Sequence, residues 1–208
     1  MKLYVFPPSP RAFKVLALAN HLGLGYELKL VDLTKGEQLL PEFAALNPNK
    51  KIPVLEDNGF VLWESNAILQ FLAGKRPESG LLPSDSRERA EVNRWQFWEM
   101  ANWDPACITL VFERVVKPLL GLGQPDTAKL KEAEENFQRY AEVLNENLKH
   151  RKFVAGDALT VADFSIGAWM NLAERASYPV GARQEIRRWY SALIEMPAWR
   201  ESISALPA

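Results

Sequence analysis

The feature that most narrows the fold is a change of pattern near residue 75. Before it, strand-sized apolar runs alternate with helix-sized ones; after it no convincing strand occurs. Leu3 to Phe6 reads as a strand stopped by Pro7-Pro8, and Pro10 to about Leu22 as a helix with one buried face, ended by Gly23. Tyr26 to Val31 alternates as a second strand. Leu39 to Leu46 is a short helix, because Asn47 precedes Pro48 and a residue before proline is pushed out of the helical region. Ile52 to Glu56 and Phe60 to Trp63 flank Asp57-Asn58-Gly59. Asn-Gly is the strongest short hairpin signal, since both positions of a type I′ turn need positive φ. A helix from about Ser65 to Lys75 completes the order β-α-β-α-β-β-α, a parallel pair made by a crossover helix with a hairpin added to the sheet.

Lys75 to Ser84 is polar and carries proline and glycine, which marks a boundary: a first domain over 1–76, a linker over 77–86 and an all-helical domain over 87–208. Arg87 to about Leu120 can form one long helix that Pro105 and Pro118 should kink or interrupt. Further helices are expected from Gln124-Pro125-Asp126 to about His150 and over 161–175, 183–195 and 197–205.

Several functions are disfavoured by the totals. A formal net charge of −1 gives no broad basic field for nucleic acid or an anionic membrane. One cysteine, Cys107, allows no internal disulfide and no Cys-x-x-Cys pair, and two distant histidines make a poor metal site, so no metal is expected. No stretch approaches the roughly 18 apolar residues of a membrane span, and the cytoplasm is the expected compartment.

Four motifs carry the chemical options. Ser9-Pro10 opens the first helix. It reads first as a plain N-cap, and the same geometry would also suit a hydroxyl beside a helix N-terminus that favours an anion such as a thiolate. Pro53 enters the third strand, where proline cannot donate to a ladder; a cis Ile52-Pro53 bond would turn the Ile52 backbone toward an incoming peptide-like chain. Glu64-Ser65 suits a cap again, and also offers a carboxylate for an ammonium and a hydroxyl with helix amides for a carboxylate. Thr160-Val161-Ala162-Asp163 is a capping box flanked by Leu159 and Phe164, and is read as structural.

Taken in order, these stretches resemble the cytosolic glutathione S-transferases, and among the serine-type members most resemble the phi class. The match runs through Ser9-Pro10-Arg11-Ala12-Phe13-Lys14-Val15, Val31-Asp32-Leu33-Thr34-Lys35-Gly36-Glu37, Asn47-Pro48, Ile52-Pro53-Val54-Leu55-Glu56-Asp57 and Leu62-Trp63-Glu64-Ser65-Asn66-Ala67-Ile68. It continues with Asp104-Pro105-Ala106, Phe112-Glu113, Lys117-Pro118-Leu119-Leu120-Gly121 and Leu159-Thr160-Val161-Ala162-Asp163.

The resemblance implies a thioredoxin-like N-terminal domain and an all-α helical bundle. It also implies glutathione as co-substrate, a two-fold homodimer and a detoxifying transferase that conjugates the thiolate to a small hydrophobic electrophile. Ser9 then matches the residue that hydrogen-bonds the sulfur, Ile52 the backbone that pairs with the cysteinyl part, Pro53 the cis-proline, and Glu64 with Ser65 the holder of the γ-glutamyl end. At the glycyl end the family's usual basic pair is replaced by Gln38-Leu39, and Lys51 stands where many relatives have glutamine. Walls for the electrophile are expected from Pro8, Arg11, Leu33, Trp103, Cys107 and Phe112. The missing basic pair also suits a non-catalytic ligand-binding or regulatory member, and the motifs are shared with glutathione-dependent lyases, isomerases and dehalogenases.

Overall fold

Asn58 and Gly59 take φ values of 51° and 84°, so the expected type I′ turn joins two antiparallel strands, β3 (Val54–Asp57) and β4 (Phe60–Trp63). In the computed structural model, which describes residues 1–204, this hairpin lies beside β1 (Lys2–Val5), which runs antiparallel to β3 and parallel to β2 (Glu27–Leu30). The sheet order is β2-β1-β3-β4. Leu3 and Val5 point to one face and are fully buried, while Tyr4 points to the other and meets Phe43 edge-on, ring centroids 6.4 Å apart. Phe43 lies on the short helix α2 (Pro41–Leu46).

The crossover helix α1 (Pro10–His21) packs against α3 (Ser65–Gly74), and the two fix where their N-termini lie. Every residue of α1 from Ala12 to Ala19 is buried, more than the single face read from the sequence, because a third helix covers it as well. That helix is α10 (Pro197–Ser204), at the far end of the chain. Phe13 and the fully buried Trp199 meet edge-to-face at 5.0 Å and 70°, and Asn20 Nδ2 donates to Ser202 Oγ at 2.9 Å. Such an aromatic pair is worth about 0.5–1.5 kcal/mol beyond the area it buries.

The chain accordingly divides into Met1–Leu82, joined by the described residues from Ile194 onward, and Pro83–Leu193. The domain expected over 87–208 thus yields its last helix to the first unit; of that range, residues 205–208 lie outside the described residues, as does the final residue of the helix expected over 197–205.

In the helical unit, α4 (Ser86–Trp98), α5 (Asp104–Val111) and α6 (Lys117–Leu119) form one run joined by two π-helical turns, Glu99–Trp103 and Phe112–Val116. Pro105 and Pro118 each follow one of these turns. A widened turn relieves the clash of the proline ring with the carbonyl four residues back, so the helix continues where the sequence suggested a break. Asp126 caps α7 (Thr127–Leu148), accepting from Ala128 N at 3.0 Å and Lys129 N at 3.1 Å. The capping box of α8 (Val161–Gly167) forms as expected. Its fully buried Asp163 also accepts from Val154 N and from Trp189 Nε1, both at 2.8 Å, the latter on α9 (Gln184–Ile194).

Candidate glutathione site

Ser9 is the N-cap of α1 by backbone geometry, with φ −76° and ψ 125°, yet its hydroxyl makes no capping hydrogen bond. Its carbonyl accepts from Phe13 N at 2.8 Å and its N–H donates to Phe6 O at 2.9 Å. The first turn of a helix leaves its amides without intrahelical partners; here Pro10 has none to offer, and those of Arg11 and Ala12 point out of the helix end. The hydroxyl therefore lies at an electropositive helix terminus, not used as a cap, on the wall of a cavity of about 350 Å³ within the first unit.

Another part of the lining comes from the start of α3. Glu64 precedes the helix with φ 71° and ψ 110°, a left-handed conformation that is strained for a residue with a side chain, and strain of this kind concentrates at ligand sites. Ser65 is the first helical residue rather than the cap the sequence suggested, and it is buried beside the unpaired amides of the α3 first turn. Ile52 and Pro53, joined by a cis peptide bond, form a third side, both buried.

The loop that leads into them is folded around Asn47. This side chain is 2% exposed; its Nδ2 donates to Lys51 O at 2.7 Å, and its Oδ1 accepts from Asn49 N at 3.0 Å. The Asn47 carbonyl accepts from Lys50 N at 2.9 Å, and Lys50 is held with φ 56°. Lys50 and Lys51 are both exposed and both line the cavity. Gln38 lines the same cavity, with its Oε1 buried and without a hydrogen-bond partner among the described residues. Its neighbour Leu39 is exposed. Gln38 follows a turn ordered by Asp32, whose Oδ1 accepts from Thr34 N at 2.9 Å; the hydrogen bonds from Thr34 and Lys35 hold the Asp32 carboxyl down at about 2.

All seven residues expected to bind glutathione or act on it, Ser9, Gln38, Lys51, Ile52, Pro53, Glu64 and Ser65, line this one cavity. Asn47 and Lys50 line it too and were not singled out in the sequence. A glycine-like φ at a lysine leaves no local signal, and the Asn47 network joins residues only through the fold.

The expected electrophile walls divide. Arg11 and Leu33 line the same cavity, whereas Pro8, half-buried in the turn before Ser9, is not among its walls. Trp103 and Cys107 are instead fully buried in the core of the helical unit, so neither faces an open surface. They stand four residues apart on an inward stripe; Trp103 stacks on Trp98, packs on Phe137 and donates from Nε1 to Ile166 O at 3.3 Å. Burial pushes the Cys107 thiol well above its ordinary range, which leaves it inert as a nucleophile. Phe112, in the second π-helical turn, is 41% exposed.

A thioredoxin-like unit that brings a hydroxyl not used as a cap and two helix N-termini to a peptide-sized cavity is joined here to a helical unit. The glutathione S-transferase N-terminal domain model matches residues 1–74, and the glutathione S-transferase C-terminal domain model matches residues 103–197. The chain belongs to the glutathione S-transferase family. It is 36% identical over 212 residues to glutathione S-transferase 3 of Zea mays, covering 100% of this chain and 95% of that one. The solved structure of glutathione S-transferase III in its apo form superposes with a TM-score of 0.88 at 35% identity, covering 100% of this chain and 97% of that chain. A glutathione transferase from Pseudomonas putida, solved with one glutathione disulfide bound per subunit, gives a TM-score of 0.88 at 29% identity over 98% of this chain and 90% of that one. Among the described residues, no helix is long and apolar enough to cross a membrane, and no group of three or more His, Cys, Asp or Glu side chains could hold a metal ion.

Proposed function

We propose that this protein is a serine-type glutathione transferase: it binds glutathione in the cavity, holds it as the thiolate with Ser9, and adds that thiolate to a small hydrophobic electrophile. The observation that carries the reading is the Ser9 hydroxyl, which leaves its own helix uncapped and faces the cavity. The γ-glutamyl end, an α-amino acid zwitterion, suits the Glu64 carboxylate for its ammonium and Ser65 with the α3 amides for its carboxylate. The glycyl carboxylate falls to Lys50, Lys51 and Gln38, which stand in for the absent basic pair.

Charge supports the thiolate form. The wall brings three cationic side chains, Arg11, Lys50 and Lys51, against one carboxylate, Glu64. Glutathione carries one net negative charge as a thiol and two as a thiolate, so ionisation improves the match. A free thiol has a pKa of about 8.5, and one charge-assisted hydrogen bond contributes about 1.5–3 kcal/mol, enough to lower it by one to two units. The thiol proton leaves to water and the sulfur lone pair forms the new bond to carbon; a leaving group, where there is one, departs with its electron pair, and where there is none the displaced π pair takes up a proton from water. Ser9 acts only as a hydrogen-bond donor. The family's two-fold homodimer belongs to the same proposal and is tested by light scattering.

Ser9→Ala is expected to keep the fold and lower conjugation of a chlorinated aromatic at least tenfold, about 1.4 kcal/mol. Unchanged activity would remove Ser9 from the mechanism. The neutral Gln38-Leu39 pair favours a second reading, a ligand-binding member without catalysis; calorimetry that finds no glutathione binding at millimolar concentration would favour it.

A further inference from the structure

One buried polar pair plays no part in the chemistry above. Lys14 lies in the middle of α1 and is 1% exposed, the one charged residue in a run otherwise made of Ala12, Phe13, Val15, Leu16, Ala17, Leu18 and Ala19. Its Nζ donates to Asn66 Oδ1 at 2.8 Å, a buried bond between α1 and α3. Asn66, 7% exposed, directly follows Ser65, and Lys14 is under one and a half turns along α1 from Ser9. Burying a lysine head costs stability unless it is well partnered, and an apolar residue of the same length is generally as stable or more so at such a position. The Lys14–Asn66 bond joins the two helices whose N-terminal residues, Ser9 and Ser65, both line the cavity.

We infer that Lys14 is a positioning residue: through Asn66 it holds the Ser9 end and the Ser65 end of the cavity at the spacing that a single ligand bridges. The inference rests on the glutathione reading, because only a ligand gripped at both ends senses that spacing. A ligand with no thiol uses the γ-glutamyl and glycyl anchors and is insensitive to where Ser9 sits.

The test is calorimetry at pH 8 with glutathione and with its analogue bearing a methyl group in place of the thiol. The wild type is expected to bind glutathione more tightly than the analogue. In Lys14→Met, glutathione affinity falls at least fivefold while analogue affinity changes less than twofold, and Lys14→Arg restores both to within twofold of wild type. Equal losses for the two ligands would make Lys14 a purely structural residue, and no loss for either would make it irrelevant; both overturn the inference and leave the glutathione reading standing. Should Lys14→Met not fold, Asn66→Leu, which removes the Oδ1 acceptor of the bond between α1 and α3, decides by the same comparison. A wild type that binds neither ligand overturns the glutathione reading itself, and one that binds both equally removes the Ser9–sulfur contact and overturns the inference with it.

Discussion

Asn47→Ala tests how the loop builds the glycyl end of the cavity. The side chain holds Lys51 O and Asn49 N, and its removal leaves both backbone groups without those partners. Each loss costs about 1 kcal/mol, so the loop loses about 2 kcal/mol. That equals the upper end of the roughly 1–2 kcal/mol needed to keep a residue such as Lys50 left-handed, so the φ of 56° relaxes once the network is gone. At about 2–4 °C per kcal/mol for a chain of this size, the melting temperature should fall by about 4–8 °C. With Lys50 and Lys51 no longer fixed on the wall, glutathione should bind about five- to thirtyfold more weakly, or about 1–2 kcal/mol. At saturating glutathione, kcat should stay within about threefold, since Ser9 belongs to α1 and not to the loop. Calorimetry, a thermal melt and steady-state kinetics read the three quantities. A lower melting temperature with unchanged glutathione affinity would refute the reasoning, because the loop would then matter to the fold alone.

Lys50→Gly separates backbone from charge at that position. Glycine accepts positive φ without strain, so the melting temperature should rise by about 2–4 °C, the equivalent of about 1 kcal/mol, while loss of the cation weakens glutathione binding about two- to tenfold and flattens its salt dependence. Unchanged affinity would put the glycyl carboxylate elsewhere. Asp163 carries a pH signature. Burial raises its carboxyl from 3.8 to about 6 despite its four donors, so the folded state holds more protons than the unfolded one between those values. The cost of its charge is complete above about pH 6, near 3 kcal/mol at pH 7, and shrinks to about 1 kcal/mol at pH 4.5. Denaturant titrations should therefore show a relative gain of about 2 kcal/mol for the wild type over Asp163→Asn on going from pH 7 to 4.5, and parallel curves would contradict the assignment.

The parts of this protein that were legible in its sequence are those whose signals are local. The Asn58-Gly59 turn, the Thr160 to Asp163 capping box and the proline stops of the first unit each follow from residues within a few positions of one another. The Ser9 motif was legible only as an alternative: cap and thiolate donor need the same residue at the same helix end, and the observed hydroxyl, which makes no capping hydrogen bond, removes only the side-chain cap. Contacts between distant segments were not legible. Nothing near Trp199 marks it as a partner of Phe13, and nothing near Lys14 predicts that α3 and α10 enclose α1. Trp103 and Cys107 were expected as pocket walls because the family resemblance places the electrophile against the first long helix of the second domain. Which side of such a helix faces inward depends on where its π-helical turns shift the register, and no local pattern announces those turns.

The most direct test of the central claim is the ultraviolet absorbance of the thiolate, titrated with pH in the complex with glutathione. The account requires bound glutathione to ionise near or below pH 7, against about 8.5 for a free thiol, and requires Ser9→Ala to raise that midpoint by at least one unit without abolishing binding. A midpoint unchanged by Ser9→Ala, or a bound thiol that ionises no more easily than the free one, would contradict it.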